Sequence, residues 1–81
     1  MQKIRPDMDI GRRISALRHK AGLTQDQTVA KMQLMELDIS KSTYAKIETN
    51  RMNIKVSELL ALKEIFQVSF EDFFLDLERE K

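Results

Sequence analysis

Apolar residues recur along this chain at intervals of three and four rather than two, so most of it reads as helix. Ile10, Ile14, Leu17 and Ala21 form one stripe, which predicts a first helix from about Met8 to Lys20. Gly22 can supply the left-handed residue that stops it. Pro6 closes a short polar arm, residues 1–8, because the residue before a proline avoids the helical region. Thr24 and Gln27 have capping-box spacing and mark a second helix, with Val29, Met32 and then Leu34 or Met35 on its apolar side. Glu36-Leu37-Asp38 reads as a connector, without a Gly or Pro to enforce the break. Ser40 is a good N-cap for a third helix from Lys41 to about Glu48, and Asn50 can end it in a left-handed conformation. Leu59, Leu60, Leu62, Ile65 and Phe66 define a fourth helix. Ser69 and Asp72 cap a fifth, short and very apolar through Phe70, Phe73, Phe74, Leu75 and Leu77. The expected fold class is all-α, a compact five-helix bundle spanning residues 9–77 with a C-terminal tail at 78–81.

Composition narrows the function classes. The 81 residues suffice for one domain, and only two Gly and one Pro interrupt a helix-favouring sequence. With no Cys there is neither a disulfide framework nor a thiolate metal site, which suits a reducing compartment. No apolar run reaches membrane length, so a cytoplasmic location is expected. His19, the one histidine, stands between Arg18 and Lys20 without a carboxylate or Cys partner, and reads as a surface residue. The five Met read as core fillers, and the acidic run from Glu71 to Glu80 as a solvated face. No Gly-rich phosphate loop or nucleophile-plus-base set is present, so neither enzyme activity nor a cofactor is expected.

Charge is more informative by position than in total. The net charge is only +1, yet residues 1–51 carry ten Lys/Arg against six Asp/Glu, whereas residues 52–81 carry four against seven. A basic first part is what a protein with one DNA face can show. Within it, Tyr44 and Ile47 share a helix face and should point inward, which turns Lys41, Ser42, Ala45, Lys46 and Thr49 outward. Such a surface fits the major groove, where Lys donates to guanine O6 and N7, Ser serves either kind of edge, and Ala touches a thymine methyl.

The ordered set Ile10-Gly11-Arg12-Arg13-Ile14, Leu17-Arg18, Gly22-Leu23-Thr24-Gln25 and Ser40 to Glu48 resembles the Cro/phage-repressor (XRE) helix-turn-helix family. The resemblance extends through Glu58 to Phe74, and the connection between the second and third helices is longer than in the family's commonest form. It implies a lambda-repressor-like DNA-binding domain in which Lys41, Ser42, Ala45 and Lys46 read bases. It further implies phosphate contacts from Gln25, Thr49, Asn50 and Arg51, and an ion pair between Arg18 and Glu48. Gly is usual in the family near Glu36 and at Asn50, and Leu and Ala at Thr28 and Val29. The function implied is sequence-specific binding to double-stranded DNA by a transcriptional repressor.

Phe70, Phe73, Phe74 and Leu77 are numerous for one terminal helix, and suggest either a homodimer contact or completion of a small core. They also support an alternative of a different class, a protein-interaction module such as an antitoxin or anti-repressor.

Overall fold

The computed structural model describes residues 9–74. The expected arm at 1–8, the start of the first helix at Met8, Leu75, Leu77 and the tail at 78–81 lie outside the described residues. Among the described residues four α-helices follow one another: α1, Ile10–Lys20; α2, Gln25–Leu34; α3, Lys41–Glu48; and α4, Val56–Phe66. The part of the expected fifth helix that lies among the described residues is a 3-10 turn, Phe70–Phe73. Its bonds span three residues, as in Phe74 N–H to Glu71 O at 2.9 Å, and the Asp72 carbonyl accepts from Arg13 Nε of α1 at 2.5 Å. Among the described residues no helix is long and apolar enough to cross a membrane.

Local chemistry places the helix ends. Thr24 accepts from Gln27 N–H at 3.0 Å while the Gln27 side chain accepts from Thr24 N–H at 2.9 Å, a complete capping box. Ser40 accepts from Thr43 N–H at 3.1 Å and starts α3. All four α-helices end alike, on a left-handed residue: Gly22 (φ 78°), Glu36 (68°), Asn50 (62°) and Gln67 (59°). In each case the next N–H reaches back five residues, as in Leu37 N–H to Met32 O (3.2 Å) and Arg51 N–H to Lys46 O (2.8 Å). Only the first of these residues is glycine. A left-handed L-residue costs roughly 1–2 kcal/mol, so Glu36→Gly should stabilise the domain by about 0.5–1 kcal/mol after the added unfolded-state entropy of Gly is deducted. A higher thermal midpoint would bear this out; a lower one would show that the Glu36 side chain is needed.

The core is assembled from every element. Ile10, Ile14 and Leu17 of α1 meet Val29 and Met32 of α2, Tyr44 and Ile47 of α3, Leu59, Leu62 and Phe66 of α4, and Phe73. Ile39 and Ile54, on the connections either side of α3, complete it. Thr28 is fully buried and returns its hydroxyl to Thr24 O at 2.9 Å. Four apolar expectations fail: Ala21 is exposed, Met35 and Met52, read as core fillers, are each 41 % exposed, and Leu34 is 84 % exposed at the rim of the turn. The α2 stripe ends at Met32 because Glu36 turns the chain before another helical turn can form.

Candidate nucleic-acid interface

Helix α3 lies across α1 and α2, and its inner side is fixed by Tyr44 and Ile47, both essentially inaccessible to solvent. On the opposite side Lys41, Ser42 and Lys46 are exposed and Ala45 is half-buried. The only carboxylate on α3, Glu48, is turned inward and buried. The outer face is therefore cationic and hydroxyl-bearing over two turns.

Two devices hold this helix at its C-terminal end. Arg18 Nε lies 2.7 Å from Glu48 Oε2, and Nη2 donates to Oε1 at 3.1 Å, a two-pronged pair between α1 and α3. Gln25, the first residue of α2, joins them by donating from Nε2 to Glu48 Oε1 at 2.9 Å. Burial pushes the Glu48 carboxyl up, but the hydrogen bonds from Arg18 and Gln25 and the Arg18 charge outweigh it and hold its pKa below the usual carboxylate range. The Arg18 guanidinium is raised, chiefly by its hydrogen bond to Glu48. The buried Tyr44 hydroxyl has no hydrogen-bond partner among the described residues, and its pKa is driven far up, first by burial and then by the neighbouring Glu48 carboxylate.

The second device is Asn50. Its Oδ1 accepts from Gly11 N–H at 3.0 Å and its Nδ2 donates to Asp9 Oδ1, so it caps the start of α1 from the far end of α3. The Asn50 side chain is thus tied to α1, while the residue stays half-buried at the edge of the outer loop. Gly11 permits the approach: a Cβ there would stand 2.4 Å from Ile47 O and 2.5 Å from Glu48 O.

The neighbouring loop stays outside. Thr49 donates its hydroxyl to Ala45 O (3.1 Å), and Arg51, exposed, donates from Nε to Thr49 Oγ1 (3.3 Å). Between this loop, α3 and the α2–α3 turn lies an open cleft lined by Asp38, Thr43, Asn50, Arg51, Met52, Asn53, Lys55 and Glu58. Asn53 and Lys55 add donors beside Arg51 that sequence reasoning did not single out, since neither belongs to a periodic pattern. Asp26 was missed as well, although its carboxylate meets Lys41 Nζ at 3.1 Å. That pairing crosses between two helices and leaves no mark in linear spacing. On α1, Arg12 pairs with Asp9 (3.1 Å) and Arg13 with the Asp72 carbonyl, so both have partners within the domain.

At the other end of the molecule the nominated phenylalanines divide. Phe73 is fully buried and Phe74 packs against the core, which removes Phe73 from any contact surface. Phe70 remains 39 % exposed, with Lys63 Nζ 5.7 Å from its ring centre.

A capped helix, a turn closed by a left-handed residue, and a second capped helix showing cations to solvent define a helix-turn-helix domain, a DNA-binding class of fold. The family described as "Helix-turn-helix domain" matches residues 11–80, and the chain belongs to it. Comparison with curated proteins and with solved structures yields no match.

Proposed function

We propose that this protein is a sequence-specific transcriptional repressor of the Cro/phage-repressor kind, which lays α3 in the major groove of duplex DNA. The observation that carries this reading is the sidedness of α3: Tyr44 and Ile47 are locked beneath while Lys41, Ser42 and Lys46 face outward. Lys46 and Lys41 are assigned to guanine edges, Ser42 to an adjacent base, and Ala45 to a thymine methyl. Gln25 has a second amide hydrogen beyond the one given to Glu48, and this is assigned to a phosphate at the start of α2. Thr49 and Arg51 grip the backbone on the other side, and Asn50 serves by holding their loop to α1. Neither a catalytic step nor a cofactor enters this proposal.

Selection of bound duplexes from a random pool should return a defined site. Lys46→Ala should lower affinity for that site by roughly 1–3 kcal/mol and relax its sequence preference. Arg51→Ala should weaken all duplexes alike and make the salt slope about one unit shallower. Equal losses on selected and random DNA from Lys46→Ala would remove the base-reading role.

We further propose that the protein acts as a homodimer, whose two α3 helices would address half-sites about 34 Å apart on a near-palindrome. A solution mass equal to one chain, free and on DNA, would end that part. The protein-interaction alternative rests on the same Phe-rich end as the homodimer, where Phe73 is buried, Phe74 partly buried and Phe70 39 % exposed. Salt separates the two readings, since an apolar interface should barely respond while DNA binding should weaken steeply.

A further inference from the structure

We infer that Asp26 is a positioning residue for base reading: it holds the Lys41 ammonium at the α2–α3 junction and keeps it from settling on a phosphate. This inference rests on the DNA-binding reading above. Lys41 is the first residue of α3, and no acidic residue occupies that helix's first turn. A cation there stands against the positive end of the helix dipole, so Lys41 does nothing for the stability of α3. Asp26, in the first turn of α2, suits the dipole of its own helix and places its carboxylate 3.1 Å from Lys41 Nζ. Both side chains are largely exposed, at 57 % and 73 %, so the pair adds little to folding. Its consequence lies at the interface.

A lysine is a flexible point charge, and on DNA the nearest strong acceptors are phosphates, which every sequence offers alike. Asp26 stands beside Gln25, where the backbone is assigned to pass, and its charge repels a phosphate that would otherwise approach Lys41. With one ammonium hydrogen on Asp26, Lys41 keeps two for base acceptors in a fixed direction. The carboxylate therefore lowers binding to DNA in general while sharpening the choice among sequences.

The test compares wild type, Asp26→Asn and Asp26→Glu, each with and without Lys41→Gln, on the selected site and on random duplex over a range of salt. Asp26→Asn should tighten random-duplex binding, steepen its salt slope by about 0.9, and reduce the ratio of specific to random affinity roughly tenfold. Asp26→Glu should restore the ratio, and in the Lys41→Gln background Asp26→Asn should leave the ratio unchanged. A uniform gain on both duplexes from Asp26→Asn, or the same loss of ratio without Lys41, would overturn the inference and leave the DNA-binding reading intact. Wild-type protein that binds no duplex would overturn both.

Discussion

Gly11→Ala should destabilise the domain by about 3 kcal/mol, although helix propensity alone would have it stabilise by about 1 kcal/mol. The added methyl would lie 2.4 Å from Ile47 O, 2.5 Å from Glu48 O and 2.7 Å from Glu48 C. All three are backbone atoms, so no rotamer change relieves the clash; α1 and α3 must separate. Separation pulls Asn50 Oδ1 from Gly11 N–H and loosens the Arg18–Glu48 pair, so the strain spreads to every contact fixing the end of α3. A domain of this size holds only about 5–15 kcal/mol in total, and each kcal/mol moves the midpoint by about 4–8 °C. A fall of roughly 10–25 °C in thermal unfolding is expected. Gly22→Ala is the useful comparison, because nothing lies within 4 Å of its Cβ position and only its φ of 78° is offended. Its loss should be nearer 1 kcal/mol. A Gly11→Ala protein as stable as wild type would show that α1 and α3 do not meet here.

Arg18→Met should cost about 3–5 kcal/mol, because it strands the buried Glu48 carboxylate. Side-chain exposures of 9 % and 4 % put the pair beyond the screening that makes surface ion pairs weak. Combining it with Glu48→Leu should return most of the loss, since two apolar groups need no charge compensation. Denaturant midpoints of the single and double variants decide this, and a double variant no better than Arg18→Met would refute it. Function should not recover with stability. Gln25 loses the carboxylate that aims its amide, and DNA affinity should stay lower by about 1 kcal/mol, the worth of one ordinary hydrogen bond. The pair also sets a direction with pH. The Glu48 pKa is lower in the folded than in the unfolded chain, where a glutamate titrates near about 4.3. In acid the unfolded state thus binds the extra proton. The stability Glu48 supplies is complete above that value and is lost as pH falls through the lower folded pKa. The Arg18→Met/Glu48→Leu protein should lack this part of the acid sensitivity.

Much of the site was legible before any coordinate. The Thr24–Gln27 box, the Ser40 cap and the Tyr44–Ile47 spacing each concern residues three apart, close enough for local hydrogen bonds and helix periodicity to decide them. The left-handed ends at Gly22 and Asn50 were readable because these residue types tolerate that conformation; the one at Gln67 was not, because nothing in a Gln marks it. Only the start of the expected fifth helix lies among the described residues, and there it is a 3-10 turn. A Ser69–Asp72 capping pattern is equally compatible with a 3-10 turn, and Arg13, far away in sequence, takes the Asp72 carbonyl. The phenylalanines could not be sorted by pattern, since three neighbouring aromatic residues look alike until α1 is docked against their turn and one of them enters the core.

By itself, the sequence determined the four α-helical stretches, where three of them begin or end, and which side of α3 carries its lysines. These properties depend on neighbours within a turn or two, whose energies hardly vary with the rest of the fold. Tertiary structure alone decided that Gly11 must lack a side chain, that Asn50 faces α1, that Phe73 is core while Phe70 is not, and that Asp26 reaches Lys41. Each depends on the angle and distance between helices, quantities fixed only when the whole apolar surface is buried together.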